Sequence, residues 1–191
     1  MFMRRCLGVL GALAVAVGSA VAGPTVAEAA DTCTANTNRA VLGGYEQSLS
    51  CYGSYYRVVY GLGTTLSDAF AEATALVQDP AIAGLRCTSD NAGDTELGGF
   101  SVRLRCNPPA GLVVIEGMGT TLTDAAHEAH TLAHVYAASN QLCTDSMTSP
   151  VTGGFSVTVQ CITPAGMYFV TGTGTKLTAA AAAARGLIHT A

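Results

Sequence analysis

Three histidines, His127, His130 and His134, stand at i, i+3 and i+7 in an alanine-rich stretch. At 100° per residue that spacing lines all three along one side of a helix, and two imidazoles four residues apart can chelate a transition metal. On the same wheel the stripe lies about 130° from the apolar positions Leu122, Ala125, Ala126, Ala129, Ala133 and Tyr136, which directs it toward solvent. His127-Glu128-Ala129-His130 is one residue shorter than the His-Glu-x-x-His of zinc proteases, which excludes that hydrolytic route. The expectation is either a metal ligand set of His127, His130 and His134 serving an enzyme, or a solvated face whose charge changes near neutral pH.

Other chemistry is scarce. There is no Gly-x-Ser-x-Gly elbow, and the carboxylates are scattered with no pair that reads as buried. Glu116, at the end of a hydrophobic run, reads as an edge-of-strand carboxylate. Gly61/Gly63, Gly117/Gly119 and Gly172/Gly174 precede helix-like stretches, yet they lack the full dinucleotide or Walker spacing and read as turn geometry. Tyr45, Tyr52, Tyr55, Tyr56 and Tyr60 are five of the seven tyrosines, and Arg57 lies among them. Tyr and Arg dominate binding hot spots, so Tyr52, Tyr55, Tyr56, Arg57 and Tyr60 form the expected partner surface, with some of the rings in the core.

The elements that position these residues recur at a period of about 55 residues. Gly98-Gly99-Phe100-Ser101-Val102-Arg103-Leu104-Arg105-Cys106 is echoed by Gly153 to Cys161 and more faintly by Gly43 to Cys51. Within it Phe100, Val102, Leu104 and Cys106 alternate with polar residues, the mark of a half-buried strand. Asn107 to Gly111 is a turn, Leu112 to Glu116 a second strand, and Thr121 with Asp124 has capping-box spacing ahead of a helix over Ala125 to Ala137. A further short strand is placed around Cys87 and Cys143. The expected fold is α+β: three tandem disulfide-stapled β-β-(β)-α repeats (33–86, 87–142, 143–191), with antiparallel sheet covered by helices, in one domain over 30–191.

The strands, the Gly-x-Gly and the alanine-rich helix of each copy resemble the second half of a double-stranded-RNA-binding domain. The resemblance implies local topology alone. The lysines that family aims at phosphates fall on Leu122, Thr123 and Ala126, and on Leu177, Thr178 and Ala181. With Lys176 the single lysine and a formal net charge of −4, no basic stripe can form, and nucleic acid is excluded as a partner.

Met1 to Arg5, the apolar run Leu7 to Val17 and the small residues that follow read as a signal peptide within 1–29, cleaved after Ala22 or Ala29. The run is too short for a spanning helix. Cys6 leaves with it, and Cys33, Cys51, Cys87, Cys106, Cys143 and Cys161 remain in alternating short and long gaps. The period selects Cys33–Cys51, Cys87–Cys106 and Cys143–Cys161. Its rival, Cys51–Cys87 with Cys106–Cys143, needs Cys33 to reach Cys161. Fully paired, they leave no thiol nucleophile.

The functional expectation is a secreted, non-enzymatic protein-binding module without a cofactor, such as an adaptor subunit of an extracellular bacterial protein or toxin assembly. Alternatives are an inhibitor of an extracellular protease, using Asp90 to Leu97 or Thr144 to Thr152 as rigid loops, and the metal enzyme of the histidine helix.

Overall fold

The computed structural model describes residues 32–53 and 55–188, and the expected signal peptide lies outside them. Alternating side chains and tight glycine turns produce a three-stranded antiparallel meander, β1 (Thr32–Val41), β2 (Gly44–Tyr52) and β3 (Tyr56–Gly63), followed by helix α1 (Leu66–Gln78). The order repeats as β4 (Cys87–Asp94), β5 (Phe100–Cys106), β6 (Val113–Gly119) and α2 (Leu122–Ser139). It repeats again as β7 (Leu142–Val151), β8 (Gly154–Thr163), β9 (Gly166–Gly174) and α3 (Leu177–Arg185). The molecule is therefore α+β, with three separate antiparallel sheets, three helices and one disulfide in each β-β-β-α unit.

Each disulfide joins directly opposed residues of a unit's first two strands: Cys33–Cys51, Cys87–Cys106 and Cys143–Cys161, with Cα atoms 4.0, 3.9 and 4.1 Å apart. A bulge follows at the same place in every unit, between Ala35 and Asn38, Ser89 and Asn91, and Asp145 and Met147. Bulged pairing carries β4 and β7 through Asp90–Asp94 and Thr144–Val151, so most of the two segments expected as inhibitor loops is strand. The strands at Cys87 and Cys143 are correspondingly longer than expected.

One side of each sheet carries the core: Leu49 and Val59; Val102, Leu104 and Ile115; Val157 and Val159. The helices lie on it through small residues, and Leu122, Ala125, Ala126, Ala129, Ala133 and Tyr136 are all buried. Both expected capping boxes, Thr65/Asp68 and Thr121/Asp124, are formed.

The Gly-x-Gly pairs are not turns. They lie inside β3, β6 and β9, where a Cβ on Gly117 would sit 2.1 Å from the Ala129 nitrogen and one on Gly61 2.2 Å from that of Ala73. Their role is to let a helix backbone rest on a strand. Among the described residues no helix is long and apolar enough to cross a membrane, and three disulfides fit an extracellular protein.

Candidate functional site

Two helices meet at the histidines. α1 ends at Asp79, whose backbone is extended and whose Oδ1 accepts the Ala81 N–H at 2.9 Å. That bond turns Oδ2 toward α2, where it lies 3.2 Å from His130 Nε2 and 2.8 Å from His134 Nε2. On the other side of the His130 ring, Nδ1 is 3.3 Å from Oε1 of Glu72, about two turns back along α1. The two imidazoles stack, with centroids 5.2 Å apart and planes at 24°.

The stripe does not point to solvent as a unit. His127 is exposed, His134 is partly covered, and His130 is buried at 8% exposure. The wheel measured rotation from the surface that α2 buries on its own sheet, whereas α1 covers the neighbouring flank. Among the described residues the group able to converge on one ion is Asp79, His130 and His134, which leaves out the expected His127 and adds a carboxylate from another helix.

Burial alone would lower the His130 pKa, but Glu72 and then Asp79 outweigh it and hold it above its ordinary value. Burial conversely raises the Asp79 carboxyl, while the Ala81 N–H and the two imidazoles more than compensate and keep it below the usual carboxylate range. Each charge thus supports the other across the helix junction.

The second junction repeats the arrangement with different chemistry. Arg185 of α3 occupies the position that His130 occupies in α2, and it pairs with Glu128, which corresponds to Glu72. Glu128 is buried, and burial pushes its carboxyl up against the lowering effect of Arg185. Asp145, also buried, is raised well above its ordinary range, first by burial and then by Glu128. Contrary to the sequence expectation, these carboxylates are buried close enough to interact. They read as junction chemistry, since Asp145 Oδ2 accepts the Met118 N–H at 2.7 Å and Glu128 is engaged by Arg185.

No family model and no curated protein matches this chain. A functional reading therefore rests on its own residues.

The tyrosines do not share one side of the sheet: Tyr52, Tyr56 and Tyr60 lie on the first unit's open side, away from α1, whereas Tyr45 is opposed to Gly63 on the side that α1 covers. Tyr52 and Tyr56 are directly opposed across β2 and β3, 58% and 57% exposed, with ring centroids 5.2 Å apart. Tyr60 shares their face. Tyr55 leads into β3 with the Arg86 guanidinium 4.5 Å over its ring. Tyr45, Tyr55 and Tyr60 are exposed too, so none of the five rings enters the core. Arg57, by contrast, is partly buried opposite Cys51 and shares a groove with Tyr55, Arg86 and Asn107. Glu116 is in β6, ion-paired with Arg103 on the neighbouring strand at 3.1 Å.

Two residues of the histidine junction, Asp79 and Glu72, carried no local signal because they belong to a different helix. The shared acid at 72 and 128 was the available clue. It marks a position that faces a cation on the following helix.

Proposed function

We propose that the protein is a secreted, non-enzymatic protein-binding module, built from three tandem copies of one disulfide-stapled unit, which presents the open face of its first hairpin to another extracellular protein. An adaptor subunit of an extracellular bacterial protein or toxin assembly is one concrete form. The observation that carries the reading is the exposed tyrosine cluster on a braced sheet. Tyr52, Tyr56 and Tyr60 on that open face present large amphipathic area with few rotatable bonds, the composition of a binding hot spot. The Cys33–Cys51 bridge staples β2 of this hairpin to the neighbouring β1 and limits the entropy lost when a partner docks. The inhibitor reading loses its main motive, since most of the segments assigned to its loops is strand.

The test is capture from culture supernatant with the wild-type protein and with Tyr52→Ala/Tyr56→Ala, after circular dichroism has shown both to be folded. The expected result is a partner retained by the wild type and lost by the variant. Equal retention by both would place the interface elsewhere.

A further inference from the structure

We infer that the junction of α1 and α2 is a binding site for one divalent transition-metal ion of the zinc class, ligated by Asp79, His130 and His134. This site is independent of the tyrosine surface. Two imidazoles and one carboxylate suit zinc, copper or nickel and do not suit calcium or magnesium, which favour oxygen ligands throughout.

The spacing is close to that of a coordination sphere. The Asp79 oxygen stands 3.2 and 2.8 Å from the two imidazole nitrogens, and all three donor atoms lie within 4.8 Å of one another. In a tetrahedral site with bonds of about 2.0–2.1 Å the ligand atoms are about 3.3–3.4 Å apart, so side-chain adjustment alone can admit the ion. His130 and His134, four apart on one helix, lie side by side with their Nε2 atoms both directed at Asp79 Oδ2.

Two of the three ligands are already aimed. The Ala81 N–H occupies Asp79 Oδ1 and leaves Oδ2 to face the histidines. Glu72 takes His130 Nδ1, which leaves Nε2 for the metal, the carboxylate–histidine–metal relay that fixes ring orientation and raises ligand basicity. The His134 side chain is 40% exposed, giving an ion a route from solvent and leaving room for a water ligand.

The second junction shows what clamping two helices requires. There one guanidinium meets one carboxylate, Arg185 with Glu128. The first junction has a histidine at the Arg185 position and adds the Asp79 carboxylate, where Val135 stands in the second. With His130 and His134 that carboxylate exceeds a charge pair and completes a ligand set.

The test is calorimetric titration of zinc into the untagged mature protein after chelation and desalting, with calcium and magnesium as controls and thermal melting alongside. The expected result is one zinc per chain, a melting temperature that rises with zinc, and no response to calcium or magnesium. Asp79→Asn and His134→Ala should each lose at least tenfold in affinity, and Glu72→Gln about 10- to 100-fold. His127→Ala should bind as the wild type does. His134 and Asp79 are partly exposed, so these variants keep the fold even if replacing His130 does not. Failure of the folded wild type to take up zinc would overturn the assignment. So would a loss in His127→Ala equal to that in His134→Ala, which would mark an adventitious surface histidine pair.

Discussion

Replacing Asp145 with asparagine removes an ionisable group from one of the most enclosed positions in the molecule. Asp145 is 2% exposed, and its Oδ2 accepts the Met118 N–H at 2.7 Å while Oδ1 accepts no hydrogen bond from the described residues. Burial and then Glu128 raise its pKa well above the ordinary 3.8, against the opposing pull of the Met118 N–H and Arg185. An acid raised in this way holds its proton more tightly folded than unfolded. Its stabilising effect is complete at low pH and declines once pH passes the unfolded value, by up to about 1.4 kcal/mol per pH unit for one proton, until the folded carboxyl ionises. Asparagine has the same shape, retains an oxygen for Met118 and never ionises. The two proteins should therefore be nearly equal in stability at about pH 3.5, diverge above it, and differ at pH 7 by roughly 1–3 kcal/mol in favour of Asp145→Asn, the usual cost of an unsatisfied buried polar group. Urea denaturation across pH 3.5–8 measures this, followed by far-ultraviolet circular dichroism because the chain contains no tryptophan. Glu128 is raised in the same direction and is coupled to Asp145, so the difference between the curves reports Asp145 together with its interaction with Glu128. A variant less stable than the wild type at pH 7 would refute the reasoning, showing an ionised Asp145 supported by Arg185.

Gly117→Ala should cost about 1–3 kcal/mol or more, because the added methyl meets the Ala129 nitrogen and the Ala125 oxygen and forces α2 off its strand. Gly84→Ala, which meets nothing within 4 Å, should stay within about 0.5 kcal/mol in the same denaturation assay. Arg185→Ala leaves Glu128 buried without its cation and should destabilise toward the lower end of the roughly 3–5 kcal/mol typical of such a loss, since the arginine is itself partly exposed; Glu128→Gln added to it should recover part of that in a double-mutant cycle.

Local pattern carried most of the fold. The alternation in Phe100–Cys106 and the Thr121/Asp124 box each describe one element and its immediate neighbours, and both formed as the sequence reads. Asp90 to Leu97 reads as a rigid loop, yet pairing with β5 through a bulge makes Asp90–Asp94 strand, because the partner supplies the hydrogen bonds that the residue types do not favour. The histidines failed for the same reason at longer range. Their spacing fixes an angle on α2, but burial of His130 depends on α1, and the carboxylate that completes the cluster lies 51 residues away in sequence. Tyrosine composition identified a distinctive hairpin without saying which rings were covered.

The junctions explain why three sheets remain three. The outward N–H of Tyr60 on β3 is taken by the Thr88 hydroxyl at 2.8 Å, and that of Glu116 on β6 by the Thr144 hydroxyl at 2.8 Å. Side chains thus satisfy donors that a backbone ladder would otherwise use, and the edges meet without merging. At the helix starts the units lock reciprocally: Thr64 and Thr123 each donate a backbone N–H to the other's hydroxyl, as do Thr120 and Thr178. The Thr123 and Thr178 hydroxyls then reach the capping carboxylates Asp68 and Asp124 of the preceding helix. One carboxylate therefore caps its own helix and holds the next unit, and Asp68 is kept below its ordinary pKa by the Thr65 and Thr123 hydroxyls together. α3 begins at Lys176 with no side-chain cap, and Ala179 stands where Asp68 and Asp124 do. At α1 and α2, by contrast, the acid serves the cap and the threonine of the next unit together.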